Sequence, residues 1–116
     1  LPETRPDCMI YRLWHEGAEL RKDCAGIPYP QGEEASKPPA MVVAPCVGYA
    51  ESCRRLGYGG GYFDRYLASY GNQRPLAVGV AFDELRVPEE IFESFDEPLD
   101  AVVTERRIIL KATAPL

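Results

Sequence analysis

RRLGYGGGYFDRYL, running from Arg54 to Leu67, is the stretch on which the reading of this chain turns. Two arginines lead into four glycines, which are interleaved with Tyr58, Tyr62 and Phe63 and followed by Asp64 and Arg65. Neither a strand nor an ordinary helix tolerates so many glycines, and a plain loop has little use for the aromatics. The segment has the parts of an anion cradle. Gly57, Gly59, Gly60 and Gly61 can adopt φ > 0 and bring backbone N–H groups close to an anion. Arg54 and Arg55 add full charges and bidentate hydrogen bonds. A helix starting near Gly61 adds the partial positive charge of its first turn, about 0.3–1 kcal/mol per contact. Together these favour a phosphate, and a polyphosphate above all. On spacing alone, a tight turn with no ligand stays open as the alternative.

The flanking sequence gives the segment a setting. Upstream, Ala40–Pro45 (AMVVAP) is a short apolar run ending at proline, the pattern of a strand buried on both faces. Downstream, Tyr62, Tyr66 and Tyr70 recur at helical spacing with Phe63 and Leu67 beside them, predicting a helix over Gly61–Tyr70 that Gly71 ends. Leu76–Phe82 (LAVGVAF), Asp100–Thr104 (DAVVT) and Arg107–Leu110 (RIIL) read as further strands, and Cys8–Trp14 (CMIYRLW) as an earlier one. Pro88–Ser94 (PEEIFES) has the proline and glutamates of a helix start. Asp23–Pro39, rich in proline and glycine, reads as a long irregular connection.

Strands alternating with helices predict an α/β fold with a largely parallel sheet, in which ligands sit beyond the carboxyl ends of the strands. The glycine segment, following the Ala40–Pro45 run after a short loop, occupies such a position. Two familiar phosphate motifs do not fit it. No lysine follows the glycines as in a P-loop, and the last glycine of GxGxxG is missing, with no strand leading directly in. Two helices are also too few to cover both faces of a five-strand sheet.

With 116 residues the chain is read as one domain, 1–116, with its phosphate loop at 54–65. A net charge of −5 argues against a nucleic-acid partner, so the arginines act within a site rather than as a field. No apolar run approaches the ~18 residues of a membrane span. Cys8, Cys24, Cys46 and Cys53 have no CxxC spacing, and the single histidine, His15, is not near two of them. Reduced thiols in a cytoplasmic protein are therefore expected, and no zinc site.

The run from Arg55 to Leu67 resembles the signature of the 5-formyltetrahydrofolate cyclo-ligase (5,10-methenyltetrahydrofolate synthetase) family, close to R-L-G-x-G-x-G-[YF]-[YF]-D-R-x-L. Gly26-Ile27-Pro28 is similar to the family's G-I-P-E-P segment, with Tyr29 where glutamate is usual. Met41–Val47 (MVVAPCV), Leu76–Phe82 and Leu99–Glu105 (LDAVVTE) resemble its core strands in the right order. The resemblance implies a three-layer α/β/α fold with a mainly parallel sheet. Family members run to roughly two hundred residues, so N-terminal helices and a first strand are expected to be missing from this chain, which accounts for the helix deficit.

The activity implied is ATP- and Mg²⁺-dependent conversion of 5-formyltetrahydrofolate to 5,10-methenyltetrahydrofolate, with ADP and phosphate released. Phosphorylation of the formyl oxygen comes first because that oxygen is a poor leaving group, and the transfer is chiefly a matter of positioning and charge neutralisation. In this reading Arg54, Arg55, Leu56, Gly57, Tyr58, Gly59, Gly60, Gly61, Tyr62, Phe63 and Asp64 form the ATP site. Arg55 and Asp64 are the catalytic candidates, Asp64 being the Mg²⁺ ligand, and Tyr62 and Phe63 also face the folate-type substrate. Phe95 stands in the place of a histidine often found in the family, Asp96 keeps the acid beside it, and Glu84 lies near a position often held by glutamine. A second reading is a truncated, non-catalytic nucleotide-binding relative or partner subunit, and a third a phosphate-binding α/β domain of another class. A sheet face left bare by the missing part is expected to drive self-association.

Overall fold

The structure is a computed structural model that describes residues 1–57, 61–93 and 96–112. It divides into two compact units, one made of Leu1–Pro39 with Tyr62–Arg74, the other of Ala40–Gly61 with the chain from Pro75 onward.

In the first unit β1 (Pro2–Thr4) pairs antiparallel with β2 (Met9–Tyr11), Thr4 opposite Met9. The strand expected over Cys8–Trp14 is thus present but shorter, and it belongs to this small sheet rather than the main one. β3 (Leu20–Lys22) and β4 (Pro28–Pro30) form a second antiparallel pair. This corrects the irregular connection expected over 23–39. Asp23 N–H donates to the Ile27 carbonyl and Gln31 N–H to that of Glu19, so the hydrogen-bonded pairs fall at odd positions of β4 and Tyr29 sits opposite Arg21. The missing N–H groups of Pro28 and Pro30 point away from the ladder, and the prolines are tolerated.

α1 (Tyr62–Ala68) is the one α-helix among the described residues. It buries Leu67, and its Tyr66 ring lies 4.9 Å from Tyr11 and 5.3 Å from Tyr70. The tyrosine spacing that predicts the helix therefore marks its packed face. The helix expected over Gly61–Tyr70 is thus present but shorter, and Gly71, at φ +55°, lies three residues beyond its end and opens a 3₁₀ turn, Gly71–Gln73.

The second unit carries β5 (Met41–Pro45), β6 (Gly48–Tyr49), β7 (Arg55–Leu56), β8 (Leu76–Val80), β9 (Ala101–Val103) and β10 (Ile108–Leu110). The main sheet runs β10-β9-β8-β5, with β5–β8 and β8–β9 parallel and β9–β10 antiparallel. Val42, Ala44, Ala77, Val102 and Ile109 are buried on one face, where Gly79 lies against Cys46 and Leu99. On the other, Met41, Val43, Leu76, Val80, Ile108 and Leu110 are exposed. Burial on both faces of Ala40–Pro45, expected from its unbroken apolar run, is corrected to one face. β5 alternates strictly between exposed and buried positions.

The helix expected over Pro88–Ser94 is corrected to a single 3₁₀ turn, Glu89–Ile91. The Glu89 carboxylate accepts from Ser52 N–H at 3.0 Å and Ser52 Oγ at 2.6 Å, and Phe92 leaves in an extended conformation. Ser94 and Phe95 lie outside the described residues. No helix of the described residues is long and apolar enough to cross a membrane.

Gly79 is the tightest point of the sheet's buried face. A Cβ there would stand 2.7 Å from Cys46 Sγ and 2.8 Å from Leu99 Cδ1. Gly79→Ala is expected to destabilise the protein by about 1–3 kcal/mol through overpacking, read as a lower urea midpoint at unchanged slope.

Candidate functional site

The loops that leave the carboxyl ends of β5, β8 and β9 converge within the second unit. After Pro45 the chain continues its parallel pairing for one residue, Cys46 N–H donating to the Val80 carbonyl at 3.0 Å, and then folds into the β6–β7 hairpin. That hairpin corrects the expectation that no strand leads directly into the glycines, since β7 runs straight into Gly57. Its turn is closed by Ala50 N–H to the Arg54 carbonyl and Cys53 N–H to that of Ala50, both at 2.9 Å. Cys53 takes φ +70°, unusual for a residue with a Cβ. It is held there from the core side, being fully buried with its thiol on the Ile109 carbonyl and its own carbonyl accepting from Leu99 N–H at 2.8 Å.

A polar clamp fastens the hairpin to the sheet. The buried Tyr49 hydroxyl donates to the Asp83 carbonyl at 2.8 Å. Arg107 donates to Asp83 Oδ1 at 2.9 Å, to Glu51 at 2.8 Å and to the Tyr49 oxygen at 3.2 Å, which raises its pKa. Thr104 Oγ1 also donates to Asp83 Oδ1, at 3.0 Å. The Arg107 guanidinium holds both carboxyls below their ordinary values, with Arg86 adding to the effect on Glu51 and Thr104 to that on Asp83.

The two arginines part where β7 begins. Arg54 is drawn to the 89–96 segment, its Nε donating to the Asp96 carbonyl at 2.7 Å and its Nη1 3.8 Å from Glu89. Arg55 goes to the glycine side. Its Nη2 donates to the Pro45 carbonyl at 2.7 Å, and its guanidinium fills the space beside Gly57, where a Cβ would stand 2.8 Å from Nη2. The Cys46 thiol adjoins it. Burial pushes that thiol's pKa up, and the Arg55 charge and hydrogen bond oppose the rise.

The remaining site candidates divide as follows. Leu56 lies in β7, and Gly61 takes φ +67° immediately before α1. Tyr58, Gly59 and Gly60 fall outside the described residues. Tyr62, Phe63 and Asp64 open α1 in the first unit, the two aromatics half-buried and Asp64 exposed. Burial raises the Tyr62 phenol, with Cys24 and Asp23 adding to it, and Arg65 lies over the Tyr62 ring at 5.2 Å. Among the described residues no group of three or more His, Cys, Asp and Glu side chains is placed to hold a metal ion, so Asp64 offers one carboxylate. The first unit also has an open cleft of about 300 Å³ beside Met9, Tyr11, Lys37, Tyr66 and Tyr70, and none of the predicted site residues lines it.

Sequence reasoning missed Asp23. Burial works against its charge, but N–H groups of Thr4, Ala25 and Ile27, each donating at 2.9 Å, outweigh that and hold its pKa low. The carboxylate thereby shapes the Gly26-Ile27-Pro28 turn, with Gly26 at φ +79°. An aspartate three residues before a glycine was the available signal. His15 is exposed, and the four cysteines are free, Cys46 and Cys53 buried and Cys8 and Cys24 exposed.

Residues 1–105 match the model of the 5-formyltetrahydrofolate cyclo-ligase family. The chain belongs to that family. It is 37% identical over 68 residues to 5-formyltetrahydrofolate cyclo-ligase of Escherichia coli (strain K12), covering 59% of this chain and 37% of that protein. To the probable 5-formyltetrahydrofolate cyclo-ligase of Schizosaccharomyces pombe it is 27% identical over 115 residues, covering 86% of this chain and 56% of the relative. The NMR structure of Aquifex aeolicus 5,10-methenyltetrahydrofolate synthetase superposes with a TM-score of 0.74 at 27% identity, covering 99% of this chain and 59% of that one. The chain thus spans between 37% and 59% of the length of these relatives. The cyclo-ligase fold is α/β as expected, rich in strands and with a mainly parallel sheet.

The clamp that seats the hairpin is expected to respond to acid. Glu51 and Asp83 ionise below their ordinary values of 4.5 and 3.8, so their stabilisation is present above those values and is lost as pH falls through the depressed ones. The urea midpoint is expected to drop between about pH 6 and about pH 3, and Arg107→Met is expected to lower it at the higher pH and shrink the drop.

Proposed function

We propose that the chain serves the ATP- and Mg²⁺-dependent conversion of 5-formyltetrahydrofolate to 5,10-methenyltetrahydrofolate, with release of ADP and phosphate. The observation that carries this reading is Arg55 packed against Gly57 at the carboxyl ends of the parallel strands. Its Nη2 donates to the Pro45 carbonyl, which sets the guanidinium beside Gly57, and a guanidinium has the fork geometry that matches phosphate oxygens. Membership of the cyclo-ligase family supports the substrate class.

In this proposal the formyl oxygen attacks the γ-phosphorus of ATP and displaces ADP. The neighbouring folate nitrogen then closes the ring and expels phosphate. Arg55 neutralises charge on the transferred group, and the backbone from Gly57 to Gly61 approaches the triphosphate. Arg54, with its guanidinium on the Asp96 carbonyl and near Glu89, adds positive charge beside the same segment. Asp64 supplies one carboxylate for Mg²⁺, the usual protein share when phosphate oxygens and water complete the shell. Tyr62 and Phe63 face nucleotide or pterin. Both units together act as one cyclo-ligase domain, a reading supported by a single structural relative that covers 99% of the chain. Free thiols support a cytoplasmic setting, and the net charge of −5 supports a role without nucleic acid.

Mixing the protein with Mg·ATP and 5-formyltetrahydrofolate is expected to give methenyl absorbance. Arg55→Ala is expected to lower the rate at least about 100-fold, the scale of one lost charge-stabilising donor, and Asp64→Asn by about 10-fold or more. Nucleotide binding without turnover would instead identify a non-catalytic nucleotide-binding relative, and failure to bind would overturn the site.

We also infer self-association through the exposed sheet face formed by Met41, Val43, Leu76, Val80, Ile108 and Leu110. Sedimentation is expected to show a dimer that Val43→Glu dissociates. A strictly monomeric profile at about 100 µM counts against it.

A further inference from the structure

We propose that Glu89 is a positioning residue for Arg54, a counter-anion that occupies the guanidinium in the free protein and yields it to the phosphates of the nucleotide. The inference rests on the reading of the glycine segment as the phosphate site. Three consecutive residues of the hairpin turn are fastened to the chain that follows β8. Ser52 N–H and Oγ–H both donate to the Glu89 carboxylate, at 3.0 and 2.6 Å. The Cys53 carbonyl accepts from Leu99 N–H at 2.8 Å, and Arg54 Nε donates to the Asp96 carbonyl at 2.7 Å. Asp96 is fixed in turn, its N–H on the Glu93 carbonyl at 3.0 Å and its carboxylate accepting from Glu93 N–H at 2.8 Å.

The contacts to Glu89 are unequal, and their lengths decide which one gives. The bond from Ser52 Oγ is short for a hydroxyl on a carboxylate. Arg54 Nη1 stands 3.8 Å away, well beyond the about 2.7–2.9 Å of a charge-assisted hydrogen bond. Ser52 therefore holds the carboxylate, and Arg54 feels its charge without being bonded to it. The Glu89 side chain is 47% exposed, so water replaces the ion pair at little cost. Arg54 is thus pinned at Nε by Asp96 and drawn at Nη1 by a carboxylate that its tether keeps from following it. Arg54 directly precedes β7, which runs into Gly57, so its charge lies on the approach to the glycine segment. A polyphosphate carries more charge than one carboxylate and offers the fork geometry that a guanidinium matches, so the exchange favours the nucleotide.

The test uses Glu89→Gln, which removes the charge, with Glu90→Gln, an exposed acid beside it, as the control for net charge. Glu89→Gln is expected to lower the urea midpoint, because the bonds from Ser52 weaken, and yet to tighten Mg·ATP binding about 2- to 5-fold, the scale of one half-exposed ion pair. A residue that only braces the hairpin would move both downward, so weaker binding in Glu89→Gln overturns the proposal. Glu90→Gln is expected to change the affinity less than about 1.5-fold, its charge being screened by solvent. In an Arg54→Gln background Glu89→Gln is expected to add no more than that control. An equal gain in Glu90→Gln, or a full gain in the Arg54→Gln background, overturns the role. Should Glu89→Gln fail to fold, Ser52→Ala keeps the charge and cuts its tether. It is expected to weaken Mg·ATP binding about 2-fold, and to do so only while Arg54 is present. A readout independent of nucleotide is the relaxation of the Arg54 Nε–Hε NMR signal, assigned by its disappearance in Arg54→Lys. The signal is expected to show greater mobility in Glu89→Gln and none in Glu90→Gln, and unchanged mobility in Glu89→Gln overturns the positioning role. If the unmutated chain fails to bind Mg·ATP, the functional reading falls and the exchange with it, and the relaxation alone decides whether Glu89 holds Arg54.

Discussion

Everything that points at the glycine segment depends on how Arg107 is shared. Its guanidinium lies where three connections end, those leaving β5, β8 and β9, and it serves the Tyr49 hydroxyl, Glu51 and Asp83 together. A two-residue strand such as β6 cannot hold its place by ladder bonds alone. Tyr49, fully buried with its hydroxyl on the Asp83 carbonyl, supplies the apolar anchor, and Arg107 closes the polar side. Removing one partner from such a network leaves the others desolvated and unmatched, which is why clamps of this kind act as a unit.

With the hairpin fixed, the two adjacent arginines cannot do the same work. The two side chains diverge where the turn passes into β7: Arg54 reaches the Asp96 carbonyl and Glu89, and Arg55 lies over Gly57. The turn carries Cys53 in a left-handed conformation, its side chain fully buried.

The parts legible in the sequence were those whose signal is local. β5, β8, β9 and β10 were marked by apolar, β-branched runs, and α1 by tyrosines at helical spacing. The hairpin β6–β7 was not legible, because its strands are two residues each and Tyr49 is held in place by the distant Asp83 and Arg107. β4 was hidden by its prolines, whose missing donors matter only once the register against β3 is known. The helix start at Pro88 was a sound local pattern overridden by Ser52, which draws the Glu89 carboxylate away. Of the site, the glycine motif and its family were readable from residues alone. The different partners of Arg54 and Arg55 were not, since they depend on a hairpin and on the Asp96 and Pro45 carbonyls that only the fold brings near.

The glycines also divide by physical need. Gly61 has φ +67°, a conformation that a side chain would strain, so its role is conformational. At Gly57, whose φ is not positive, the Arg55 guanidinium lies where a Cβ would be, and because that is the far end of a flexible side chain an added methyl would shift Arg55 rather than the backbone. Gly57 therefore bears on where Arg55 lies and Gly61 on how the chain enters α1, a division that spacing in the sequence could not supply.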